Sequence, residues 1–194
     1  MIDLKPASEI SDAELVKLTL ENQANFIYLV DRYKGKLLNY IRRLTNVNTE
    51  DAEDILQEVF IKVYLNLNDF NEDLKFSSWI YRITHNQVIS NFRKLKARPE
   101  GYAVDIDDQA AKNLAADIDI AAGVDWRILQ QNIFKILDKL EEKYRRILIL
   151  KFLEEKNYQE ISDIIKKPPG TVASTINKAK QKFREELQRQ KINL

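Results

Sequence analysis

The chain has 194 residues, with 31 lysines and arginines against 30 aspartates and glutamates, a single histidine and no cysteine. That length holds one large domain or two small ones, and the missing cysteine excludes disulfides, thiolate metal ligands and a cysteine nucleophile. No long apolar run is present and the opening Met1 to Pro6 lacks the apolar centre of a signal peptide, so a soluble cytoplasmic protein is expected.

Near-neutrality conceals a partition. Residues 1–96 carry net −1, residues 97–125 net −5 and residues 126–194 net +7. Glycine and proline are few, at four each, and the apolar residues recur in steps of three and four. The pattern predicts an all-α fold: two small helical domains, 1–96 and 126–194, joined by a flexible acidic linker over 97–125.

In chain order, Leu15, Leu18, Phe26, Leu29, Val30, Tyr33, Leu37, Leu38, Ile41 and Leu44 predict one or two helices across 12–45. Thr49 is the expected cap of the next helix, with Glu50, Asp51 and Glu53 in a first turn where the helix dipole favours anions. That helix is expected to run to about Leu67 on an inner stripe of Ile55, Val59, Val63 and Leu67. A polar loop, 66–75, leads to a last helix from Ser77 to Lys96. The segment 97–125 is expected to be a tether with at most a transient turn of helix. Beyond it, Ile128, Ile133, Leu137 and Leu140 form one stripe, and Ile147, Leu148, Leu150, Phe152 and Leu153 the next. The chain then reads as two short helices around a Lys-Lys-Pro-Pro break, with Ile161, Ile165, Val172 and Ile176 spaced to cross-pack and small Ser162 and Ala179 allowing close approach. This is the pattern of a DNA-reading helix-turn-helix, although an ordinary helical hairpin would look similar.

Three surfaces carry the chemistry. Glu50, Asp51, Glu53, Asp54 and Glu58 form an acidic run without a base. Asp54, Gln57, Glu58 and Ile61 share one helical face, either solvated or a dock for a basic protein partner. Residues 79–98 hold Arg82, Arg93, Lys94, Lys96 and Arg98 without an acid, interleaved with Trp79, Tyr81, His85 and Phe92 and preceded by Phe76. Cations there would hold backbone while aromatic planes stack unpaired bases, although Trp79 and Phe92 fit a core equally well. The helix-turn-helix is the third. No His, Cys or glycine-rich loop converges on the carboxylates, so neither an enzyme nor a metal or cofactor site is expected.

Taken together these residues resemble an extracytoplasmic-function (ECF, group 4) sigma factor, the promoter-recognition subunit of bacterial RNA polymerase. Asp51-Ala-Glu-Asp54-Ile-Leu-Gln57-Glu58-Val-Phe60 is similar to the family's polymerase-binding helix. Phe76-Ser-Ser-Trp79-Ile-Tyr-Arg82-Ile-Thr-His85-Asn86 resembles the segment that melts and reads the −10 element. The resemblance implies a sigma-2-like domain whose Asp51, Asp54, Ile55, Gln57, Glu58, Phe60 and Ile61 dock on the coiled coil of the largest polymerase subunit. It assigns −10 DNA to Lys75, Phe76, Ser77, Trp79, Arg82, His85, Asn86, Ile89, Arg93 and Lys94. In a sigma-4-like domain it assigns −35 DNA to Lys167, Gly170, Thr171, Ala173, Ser174, Thr175, Asn177, Lys178 and Lys180. Implied partners are core polymerase, including its flap, promoter DNA and an anti-sigma factor. The recognition helix departs from the family: Ala173 and Thr175 stand where cations are usual, which implies readout through small side chains, and Lys166 and Lys167 occupy the turn. A helix-turn-helix regulator acting without polymerase and a sigma-like protein-binding module are the competing readings.

Overall fold

A computed structural model of the chain describes residues 10–95, 108–117 and 126–189. All regular structure among them is helical, and the contacts divide the chain into two units, Met1–Tyr102 and Ala103–Leu194.

The first unit comprises α1 (Asp12–Glu21), α2 (Phe26–Thr45), α3 (Thr49–Leu65) and α4 (Phe76–Leu95), with 3-10 turns at Gln23–Asn25 and Leu67–Asp69. Ser11 starts α1 by accepting the Glu14 amide at 3.2 Å. α2 buries Leu29, Tyr33, Leu37, Tyr40, Ile41 and Leu44 along one stripe and stops at Asn46, whose left-handed φ of 56° breaks the helix. The cap of α3 is Asn48 rather than Thr49: the Asn48 side chain accepts the Asp51 amide at 2.7 Å. Either side chain has the oxygen for this, and the extended backbone at Asn48 decides which one is aimed at the orphan amides. Leu67 does complete the inner stripe, but from the 3-10 turn after α3 has ended. α4 packs on both α2 and α3, which is why it buries residues around much of its circumference, from Phe76 through Val88.

α1 is tied to α2 by a partly buried polar cluster. Arg32 donates to Asp12 and to the Ile10 carbonyl, each at 2.7 Å, and the Tyr33 hydroxyl donates to the other Asp12 oxygen. Burial, reinforced by the hydrogen bond to Asp12 and its negative charge, pushes the Tyr33 phenol far above its ordinary ionisation range.

The second unit comprises α5 (Asp108–Asp117), α6 (Trp126–Lys139), α7 (Glu142–Leu148), α8 (Tyr158–Ile165) and α9 (Pro169–Arg189). α7 runs on into a π-helical turn, Ile149–Leu153, that closes with the Glu154 amide on the Ile149 carbonyl at 3.0 Å. α9 packs along α6, α7 and α8, burying Val172, Ile176, Ala179, Phe183 and Leu187. Two expectations are corrected. Ile164, not Ile165, joins Ile161 in the core, because Ile165 is the last residue of an eight-residue helix and stands half exposed at its edge. The segment read as a tether with at most a transient turn contains the ten-residue α5, docked on the π turn and α6 through Leu114.

Candidate nucleic-acid and protein interfaces

α3 carries the acidic row. Asp54, Gln57, Glu58 and Ile61 are all exposed along one face, as their spacing requires, and Ile61 is 59% exposed. Exposed Tyr64 and Leu65 lengthen the apolar end of this row. Ile55 does not belong to it: at 4% exposure it points into the core. Asp51 and Phe60 are half-buried, Phe60 against the Phe26 ring at 6.3 Å. Glu58 is already engaged. Its carboxylate accepts from the side-chain amides of Gln87 and, at 3.1 Å, Asn91, so it joins α3 to α4.

On α4 the described aromatics are packed inward. Phe76 and Trp79 are 3% and 5% exposed. Their rings lie 5.5 Å apart within a cluster that includes Tyr33, 5.6 Å from Phe76, and Phe70, 5.3 Å from Phe76 and 5.4 Å from Trp79. Such edge and tilted contacts are core packing. His85 is equally buried, with Nδ1 on the Tyr40 hydroxyl at 2.9 Å. Phe76 and His85 present no face to a base, and Trp79, though it contributes to the wall of the groove described next, is too enclosed to stack on one. What does reach the surface is Lys75, Ser77, Arg82, Asn86 and Ile89. The side chains of Phe92, Arg93 and Lys94 lie outside the described residues. Between α3 and α4 runs a groove of about 390 Å³, lined by Lys62, Asn66, Asp69, Trp79, Arg82, Ile83, Asn86, Gln87 and Ser90. Lys62 on α3 and Asn66, its C-cap residue, lie four apart, adjacent in angle to the acidic row. Sequence reasoning passed over both, although that spacing was the available signal.

In the second unit, the helix-turn-helix is built by identifiable local chemistry. Asn157 and Glu160 form a capping box at the start of α8, each side chain accepting the other's amide at 2.9 Å. Lys166 ends α8 in the left-handed region, φ 52° and ψ 51°, the conformation that glycine adopts most readily. Ser162 then donates to the Lys167 carbonyl at 2.6 Å and closes the turn. Pro169 opens α9, where its missing amide hydrogen costs nothing. Lys167, Gly170, Thr171, Ser174, Asn177 and Lys178 are exposed, and Ala173, Thr175 and Lys180 are half-buried. The hydroxyls of Ser174 and Thr175 donate to the Thr171 carbonyl at 3.0 and 2.7 Å, so both bond back to the helix's own backbone. Lys180 reaches Asp117 on α5 at 2.8 Å.

Among the described residues no helix is long and apolar enough to cross a membrane, and no group of three or more acidic or histidine side chains could hold a metal.

Comparison with known proteins decides what these surfaces belong to. The profile of Sigma-70 region 2 matches residues 29–98, and that of Sigma-70 region 4 matches residues 130–183. The chain is 34% identical over 173 residues to the ECF RNA polymerase sigma factor SigW of Bacillus subtilis, covering 86% of this chain and 90% of SigW. The chain belongs to the ECF sigma factors. Its function is theirs: it binds RNA polymerase and directs initiation of transcription at promoters. It is likewise 30% identical over 187 residues to the ECF RNA polymerase sigma-E factor of Escherichia coli K12, covering 94% and 97% of the two chains. The fold is shared with CnrH, solved with the cytosolic domain of CnrY, at a TM-score of 0.64 and 21% identity, covering 90% and 96%. It is shared too with the sigma factor RpoE of Bartonella quintana, solved with the anti-sigma factor NepR, at 0.63 and 19%, covering 84% and 97%.

For an ECF sigma factor the two matched regions divide the helices sensibly. The region 2 match covers most of α2 and all of α3 and α4, and with them the acidic row and the groove. The region 4 match covers most of α6, then α7, α8 and α9 as far as Phe183. α5, with Asp117 on Lys180, falls between the two matches.

Proposed function

We propose that this sigma factor is of group 4 and works through three surfaces with distinct partners. Asp54, Gln57 and Ile61, with Glu58 and Phe60 at the margin, dock on the basic coiled coil of the largest polymerase subunit. The apolar Ile61–Leu65 end supplies buried area and the acids supply orientation and encounter rate. Lys75, Ser77, Arg82, Asn86 and Ile89, continued by Arg93 and Lys94, meet the −10 element beside the α3–α4 groove. There Lys62 and Arg82 attract phosphate, while Asn66 and Asn86 offer donors and acceptors to an unstacked base edge. Capturing bases that breathing exposes shifts the closed–open equilibrium without any hydrolysis, so no cofactor or catalytic step is needed.

Lys167, Gly170, Thr171, Ala173, Asn177 and Lys178 read the −35 major groove, Lys180 meets its backbone, and the methyls of Ala173 and Thr175 make thymine C5-methyl contact. The sigma-4-like unit also meets the polymerase flap. An anti-sigma factor is a further partner, as one is for the structurally similar RpoE of Bartonella quintana. The protein acts in the cytoplasm, where polymerase is, and is not itself an enzyme.

The observation that carries this reading is the pairing, on adjacent faces of α3, of an exposed acidic row with a cation- and amide-lined groove. The test is transcription from duplex and premelted promoter libraries by core polymerase with and without the protein. Asp54→Lys abolishes initiation on both templates, whereas Arg82→Ala with Asn86→Ala fails on duplex alone. Duplex binding with no stimulation of polymerase on either template would point instead to a stand-alone helix-turn-helix regulator.

A further inference from the structure

Leu114 of α5 is 1% exposed against the π turn and α6. Asp117, the last residue of the helix, receives the Lys180 ammonium at 2.8 Å, with side-chain exposures of 46% for Asp117 and 19% for Lys180. A carboxylate oxygen at this distance presents to Lys180 the same group as a DNA backbone phosphate, an anionic acceptor at hydrogen-bonding range. We infer that α5 is an autoinhibitory strap: Asp117 occupies Lys180 as a phosphate surrogate until promoter DNA displaces it. This rests on Lys180 being a contact to the −35 backbone.

The strap is built to be releasable. A ten-residue helix is marginal on its own. Among the described side chains of α5, Leu114 is buried and Asp117 makes a partly exposed ion pair, a kind of contact that contributes about 0.2–1 kcal/mol.

The test is fluorescence anisotropy of the full chain on a short random-sequence duplex. Asp117→Asn tightens binding by about 1.5- to 5-fold, the range for a pair this exposed. Lys180→Gln weakens it and lowers the slope of log affinity against log salt by about 0.9. On the Lys180→Gln background, Asp117→Asn gives no gain. Amide hydrogen exchange across 108–117 accelerates when duplex is added. Unchanged affinity of Asp117→Asn, or an equal gain in both backgrounds, overturns the strap while a weakened Lys180→Gln leaves the DNA reading standing. Wild-type affinity of Lys180→Gln overturns both.

Discussion

Phe76 separates a base-stacking role from a packing role. Its ring is 3% exposed and meets three others: Phe70 at 5.3 Å, Trp79 at 5.5 Å and Tyr33 at 5.6 Å. Core Phe→Ala changes cost about 3–5 kcal/mol, and each aromatic pair adds about 0.5–1.5 kcal/mol beyond its buried area. Three lost pairs place Phe76→Ala at the upper end, about 4–5 kcal/mol, a large part of the roughly 5–15 kcal/mol that holds a domain folded. With a urea slope of about 2 kcal/mol per molar, the midpoint of the first unit falls by about 2 M. The reporter is internal, since Trp79 sits in the same cluster. Replacing Trp126, the chain's other tryptophan, with Phe leaves Trp79 as the sole signal. A variant that keeps its stability to within about 1 kcal/mol, a normal value for a tolerated substitution, while losing promoter opening, would refute the packing argument and return Phe76 to the DNA surface.

The Tyr33 phenol is held above its ordinary range, first by burial and then by Asp12. Its folded-state value exceeds the unfolded one, so its contribution is complete below the unfolded value of about 10 and is lost as pH rises beyond it. Between about pH 9.5 and 11 the wild-type urea midpoint should fall more steeply than that of Tyr33→Phe; parallel curves would contradict the assignment. Asn157→Ala removes the capping box of α8 and should cost the second unit about 1 kcal/mol in denaturant titrations, with Asn157→Ser recovering most of it. Lys166→Gly relieves a left-handed backbone and should stabilise that unit by about 0.5–1 kcal/mol, the balance of strain relief against glycine entropy. The same variant should bind duplex DNA more weakly for want of one cation, and a simultaneous loss of stability would show that the turn needs the lysine side chain.

The short-range chemistry was legible in the chain. Steps of three and four placed the helices around Leu29–Leu44, Ile55–Val63 and Val172–Ile176, and two glycine-poor, proline-poor halves announced an all-helical fold. Such features depend on a residue and its neighbours within a turn or two, so local propensity and periodicity carry them. Near-equivalent choices did not resolve: Asn48 against Thr49 as a cap, and Ile164 against Ile165 as the inward residue, each differ by one position and are decided by backbone angle and by where the partner helix lies.

What the sequence by itself determined, then, is the helical order, the acidic row of α3 and the cationic character of the C-terminal third, because charge and spacing along one helix are intrinsic to it. Only tertiary structure decided which side of α4 is covered. An aromatic and basic pattern is the same string whether its rings stack on bases or on other rings. It took Tyr33 and Tyr40 of α2, with Phe70 from the loop, to bury Phe76, Trp79 and His85 and leave Arg82 and Asn86 outside. The same holds for α5, whose weak apolar pattern becomes a docked helix only because α6 and the π turn offer Leu114 a place and Lys180 waits for Asp117. Contacts made across tens of residues leave no periodicity in either partner, so the fold has to bring them together before they can be read.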